Sequence, residues 1–198
     1  ALRRMSPDGA WTLNIDSTIR RTADNAGDIE LAFERERNNR IHLVLLLDSG
    51  GSMDPYARLV TQLFTAATEL NVFKSVEAWH FHNAPYGAFF KSEHSMKRWA
   101  IPEIMQSWSP RHRIIWVGDA CMAPYELLTP IGPSQLRGID WIQRINRGFP
   151  RSVWLNPEPQ QYWNHMTIAA VSRVVPMFPL TLAGLRDAIG QLRAGASV

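Results

Sequence analysis

The chain has 198 residues, 45% of them apolar and 20% charged, with a formal net charge of +3. That suffices for one sizeable globular domain and is marginal for two. No apolar run reaches the ~20 residues of a membrane span. With no secretory signal pattern and a lone Cys121 that excludes an internal disulfide framework, a cytoplasmic chain is expected.

Basic residues interleave with acids, as in Glu34-Arg35-Glu36-Arg37. Such alternation marks a solvated edge and argues against nucleic acid as a partner.

Residues 1–28 are polar and interrupted by Pro7, Gly9, Asn25 and Gly27. They read as an arm with at most a short helix over 17–25, capped by Asp16. Ile29, Leu31 and Phe33 then alternate with Glu30, Ala32 and Glu34, a half-exposed strand, and Asn38-Asn39 makes a turn. The organisation predicted is an N-terminal arm and edge strand over 1–40, packing on a domain over 41–198.

That domain opens on IHLVLLLDSGGSM, residues 41–53. Five consecutive aliphatic residues, Leu43 to Leu47, suit a strand buried on both faces, as in a parallel sheet covered by helices. Asp48 falls at its carboxyl end, where open α/β sheets place their ligands. Gly50 and Gly51 permit a tight turn before Ser52. Asp54-Pro55 reads as a cap and first helical position for a helix over about 55–71. A strand over 73–81 ends at His82-Asn83, and 86–91 reads as its antiparallel hairpin partner. A helical stretch follows over about 95–108, with Pro102 as an obstacle.

Residues 113–119 form another buried strand ending in an acid, Asp119. Pro and Gly predict a loop over 124–133, followed by a helix over about 134–147 and a strand over 151–155. A helix over about 160–174, a short strand over 177–180 and a last helix complete the chain. Trp79, Trp116 and Trp154 fall on strands and read as core, whereas Trp99 and Trp108 fit either core or a partner surface.

Strands alternating with helices predict an α/β fold: three layers, doubly wound, with a mostly parallel, Rossmann-like sheet. In a 3-2-1-4-5-6 order, the strands ending in Asp48 and Asp119 are neighbours at the switch point. Two carboxylates and the Ser52 hydroxyl are hard oxygen donors that suit Mg²⁺, Mn²⁺ or Ca²⁺ better than zinc. Without a cation the carboxylates would repel each other and one pKa would rise. The plainer alternative is that both acids only cap turns. Asn83, Asp54 and the Gly50 backbone are further candidate oxygen donors, as are Ser92 and Ser95.

His80 and His82 flank Phe81 and share one face. With Asp48 they offer a transition-metal reading, against the commoner role of hydrogen-bonded structural histidines. Cys121 reads as a buried small residue. The order Ser52, Asp119, His165 mimics that of α/β-hydrolases, but Asp54 stands where the elbow motif needs glycine.

Asp48-Ser49-Gly50-Gly51-Ser52 after an aliphatic strand resembles the metal-ion-dependent adhesion site, Asp-x-Ser-x-Ser, of a von Willebrand factor A (VWA) domain, and Asp119 in VGDA matches that family's later aspartate. Within the family the chain is most similar to the CoxE-like group. The resemblance lies in TIRRTADNAGDIELAFERERNNR ahead of the domain, WLNPEP at 154–159 and MFPLTLAGL at 177–185. It implies a non-enzymatic interaction module with Asp48, Ser52 and Asp119 at a Mg²⁺ or Mn²⁺ (or Ca²⁺) site that an acidic side chain of a client completes. It also implies partnership with a MoxR-type AAA+ ATPase in assembling or maturing a protein complex. The chain has no GxxxxGK[ST] loop of its own. Gly50 stands where the motif has its middle serine, and the family's intervening threonine has no clear counterpart. The expected site is therefore degenerate and weakly filled, or empty with the partner held through an apolar surface.

Overall fold

The computed structural model describes residues 11–13, 21, 24, 33–35, 41–69, 73–132 and 134–193. Two compact units divide the chain, residues 1–40 and 41–198. In the first, strand β1 (Trp11–Leu13) pairs antiparallel with β2 (Phe33–Arg35). Arg21 and Asp24 are helical. The rest of the predicted helix over 17–25, its Asp16 cap and the Asn38-Asn39 turn lie outside the described residues.

The second unit is built on a five-stranded sheet. Its strands are β3 (His42–Asp48), β4 (Ser75–Phe81), β7 (His112–Val117), β8 (Ser152–Asn156) and β9 (Met177–Pro179), in the order β4-β3-β7-β8-β9. Every pairing is parallel. A short antiparallel pair, β5 (Ala88–Phe89) and β6 (Trp99–Ala100), lies between β4 and β7 in the chain. The helices are α1 (Ala57–Glu69), α2 (Ile101–Ser107), α3 (Pro124–Leu128), α4 (Gly138–Gly148), α5 (Met166–Ser172) and α6 (Leu182–Arg193). No helix among the described residues is long and apolar enough to cross a membrane.

Alternate side chains of the central strands supply two cores, as the period of two requires. Leu43, Leu45, Ile115, Val117, Val153 and Leu155 face one way and meet Met53, Val60, Ala188 and Leu192. Val44, Leu46, Trp116 and Trp154 face the other way and meet residues of α2, α4 and α5. The sheet is thus covered on both faces, the doubly wound arrangement predicted. Trp116 and Trp154 are fully buried and stacked, with ring centroids 5.3 Å apart. Trp79 is buried as predicted; Trp108 joins the core and Trp99 packs edge-on against Trp79.

Several local expectations are corrected. Asp54-Pro55 does not start the helix: a 3-10 turn, Gly51–Tyr56, precedes α1, and Gly50 occupies its cap position. Buried Met53 anchors this turn to the core. The hairpin strand over 86–91 is not a sixth strand of the sheet. It touches β4 through one bridge, His80 to Phe90, and pairs instead with Trp99-Ala100, inside the stretch over about 95–108 that is predicted helical. Pro102 sits in the first turn of a helix rather than obstructing one, and Pro124 opens the short helix α3 where a loop over 124–133 is predicted; no intrahelical N–H is required at either position. The segment over 160–174 is a 3-10 turn, Gln160–Tyr162, followed by the shorter α5.

Candidate metal site

β3 and β7 are neighbours, and Leu47 pairs with Val117 at their carboxyl ends. The next residues are therefore Asp48 and Gly118, with Asp119 one step further, just beyond the strand that was expected to end on it. Asp48 and Asp119 are 6% and 4% exposed. Such burial of two acids is costly unless something compensates their charge. Asp119 Oδ1 accepts the Cys121 N–H at 2.8 Å. Asn156 Nδ2 donates to the Asp119 carbonyl at 2.8 Å and Trp154 Nε1 to the Gly118 carbonyl at 2.7 Å. These bonds from β8 hold the loop after β7 in place.

Asp48 Oδ1 accepts the N–H groups of Gly50 at 2.9 Å and Asn83 at 3.0 Å. Asp48 Oδ2 is buried and has no hydrogen-bond partner among the described residues. Burial pushes the carboxyl from its ordinary 3.8 up to about 6; the two backbone donors pull against this, and the charge of Asp119 pushes with it. Gly118 makes the arrangement possible. A Cβ there would lie 2.8 Å from Asp48 Cβ and 3.2 Å from Oδ2, so only glycine leaves the carboxylate its place.

The turn after β3 supplies the remaining groups. Ser52 is exposed. Its Oγ would lie 3.8 Å from a Cβ on Gly50, and Asn83 Oδ1 2.7 Å from the same point. The sequence-predicted Asp48, Ser52 and Asn83 are thus gathered around Gly50, and Asp119 acts on Asp48 electrostatically. The Gly50 carbonyl accepts the Met53 N–H at 2.8 Å, which closes the turn and leaves the oxygen a second lone pair. Asp54 is exposed. With Asp48, His80, Ser92 and Glu93 it lines a cleft of about 350 Å³ that Ser52, Asn83 and Asp119 do not border.

His80 and His82 do face the same turn, and both are used there. His80 Nδ1 bonds Ser49 Oγ at 2.8 Å and His82 Nδ1 lies 3.3 Å from the Ser49 carbonyl. Burial holds the His80 imidazole below its usual range, with Glu93 opposing and His82 adding to the effect. Among the described residues no three His, Cys, Asp or Glu side chains are grouped as a metal would need. No imidazole is hydrogen-bonded to Ser52 among the described residues; His165 Nδ1 instead lies 3.3 Å from Thr167 Oγ1. Cys121 is exposed rather than buried. Ala120 takes a left-handed conformation (φ 53°) and is itself buried, which turns the next side chain outward. Partial burial, then the charges of Asp119 and Glu158, raise the thiol's pKa.

Sequence reasoning overlooked Glu126. Its Oε1 accepts Asn83 Nδ2 at 2.8 Å and its Oε2 accepts the Ala123 N–H at 3.0 Å. The second bond, from the third residue of α3 to the residue before the helix, is half of a capping box, and Pro124-x-Glu126 carried that signal.

The donor set fits a hard divalent cation: an unpartnered buried carboxylate oxygen, a second buried carboxylate, a hydroxyl and an amide oxygen. Residues 1–84 match the family model described as VWA domain containing CoxE-like protein. The match takes in β3, the Asp48–Ser52 turn, β4 and Asn83, and the sheet that follows has the parallel α/β order of that fold. Neither the curated proteins nor the solved structures compared contain a match to the chain.

Proposed function

We propose that this chain, a CoxE-like protein with a VWA domain, is a non-enzymatic interaction module whose contact with its partner passes through a divalent cation. The family match supports a protein-interaction role. The cation reading rests on one observation above the others: Asp48 Oδ2 is buried without a partner among the described residues while Asp119 stands close enough to raise the Asp48 pKa. A divalent ion relieves both the missing contact and the repulsion.

Asp48, Ser52 and Asp119 are the residues proposed to hold Mg²⁺ or Mn²⁺, or the larger Ca²⁺. When bound, the ion supplies a positive centre with an open coordination position for an acidic side chain of the partner. Asp54, exposed at the neighbouring cleft, is proposed to join the site only through water. The chain's own part is to fix the donors. Burial of Asp48 and its two backbone N–H contacts set one carboxylate; the Asn156 and Trp154 bonds set the loop carrying the other. The partner class we propose is a MoxR-type AAA+ ATPase, in the assembly or maturation of a protein complex in the cytoplasm.

Calorimetric titration of the chain with Mg²⁺ or Mn²⁺ tests this. Wild type should bind and Asp48→Ala should not. Equal heats for the two proteins would refute the cation reading.

A further inference from the structure

Gly50 leaves the turn without a hydroxyl at its middle position, yet the space a side chain there would occupy is already filled by an oxygen. A Cβ built on Gly50 would lie 2.7 Å from Asn83 Oδ1, 3.3 Å from Asp48 Oδ1 and 3.8 Å from Ser52 Oγ. The first distance is shorter than non-bonded carbon and oxygen tolerate. Asn83 Oδ1 therefore stands beside Asp48 and Ser52, at the point from which a residue-50 side chain would extend.

Three contacts put it there. The backbone of Asn83 is left-handed (φ 57°), a conformation asparagine accepts more readily than most residues. Its N–H is tied to Asp48 Oδ1 at 3.0 Å. Its Nδ2 donates to Glu126 Oε1 at 2.8 Å. With the NH₂ end of the amide held by Glu126, the oxygen end is the one that lies toward Gly50. Glu126 is itself fixed by the Ala123 N–H on its other oxygen.

We propose that Asn83 Oδ1 takes the place of the hydroxyl missing at Gly50 as an oxygen donor of the cation site, with Glu126 as the positioning residue that keeps this oxygen turned inward. The inference rests on the cation reading above and deepens it. An amide oxygen is a suitable ligand for Mg²⁺, Mn²⁺ or Ca²⁺. Residues 50 and 83 then exclude one another sterically and substitute for one another chemically. Glycine at 50 requires an oxygen from 83, and serine at 50 requires glycine at 83.

The test is an exchange. Mn²⁺ is titrated calorimetrically into the full 198-residue chain as wild type, Asn83→Gly, Gly50→Ser, the double variant, Glu126→Gln and Asp48→Ala. Glycine suits the backbone at 83, so Asn83→Gly removes the amide without straining the turn. Asn83→Gly should weaken Mn²⁺ binding about tenfold or more, the loss typical of a disturbed site shell. Gly50→Ser alone should weaken it similarly, because the new Cβ collides with Asn83 Oδ1. The double variant should return to within roughly threefold of wild type, a coupling expected only of residues in contact. Glu126→Gln cannot satisfy both of its donors and should lose about tenfold.

Wild-type affinity in Asn83→Gly, with binding abolished in Asp48→Ala, would overturn the role of Asn83 and leave the cation reading intact. Wild type without Mn²⁺ binding would overturn both. Thermal melts without metal check each fold. If Asn83→Gly does not fold, wild-type affinity in both Gly50→Ser and Glu126→Gln overturns the proposal.

Discussion

Asp48→Asn keeps the shape of a buried side chain and removes its titration. In the folded protein the Asp48 carboxyl has its pKa raised from 3.8 to about 6, chiefly by burial. Between those values the folded chain holds a proton that the unfolded chain has released, so stability falls as pH rises through this window. The gap corresponds to about 3 kcal/mol, present as a penalty at pH 8 and nearly absent at pH 4. Asparagine can keep Oδ1 on the Gly50 and Asn83 N–H groups. Any cost of burying its NH₂ is constant with pH. Urea denaturation in chelator, at several values from pH 4 to 8, isolates the titration as the difference between variant and wild type. That difference should move in favour of the variant by roughly 2–3 kcal/mol across the range. Saturating Mg²⁺ at pH 8 should restore the wild type and leave the variant unchanged. A difference flat with pH would refute the account of Asp48.

Gly118→Ala forces a Cβ to within 2.8 Å of Asp48 Cβ; denaturation should show a loss of about 1–3 kcal/mol, and an unchanged midpoint would contradict the packing described. Trp154→Phe removes the bond to the Gly118 carbonyl and part of the stack on Trp116, which should cost about 2–3 kcal/mol and weaken Mn²⁺ binding through the Asp119 loop. Cys121 is exposed yet its thiol pKa is raised; iodoacetamide at pH 7.5 should label it more slowly than a free cysteine peptide, and Asp119→Asn should speed the reaction.

The sheet and its two acids were readable because their causes are local. An aliphatic run such as Leu43 to Leu47 is tolerated only where both faces are covered, and an acid directly after it has few places to go except the sheet's ligand-binding edge. Pro102 reads as an obstacle and Pro124 as part of a loop because a proline that ends a helix and one that begins it look alike until the N-terminal turn is located. Strands of two residues, such as Trp99-Ala100, carry no periodicity at all. Asn83 could be named as a candidate from its place at the end of β4. The partner that orients it could not, since Glu126 lies 43 residues away and only the packed fold brings the two together. Cys121 was misjudged because residue type predicts average burial, whereas the left-handed Ala120 decides which way the next side chain points.

The central claim is that Asp48 and Asp119 bracket a divalent cation. Crystals of the chain grown with Mn²⁺ and measured for anomalous scattering test it most directly. A peak between the two carboxylates, with oxygen distances of about 2.1 Å, is the predicted result. Both carboxylates in place with no anomalous density between them at saturating Mn²⁺ would contradict it.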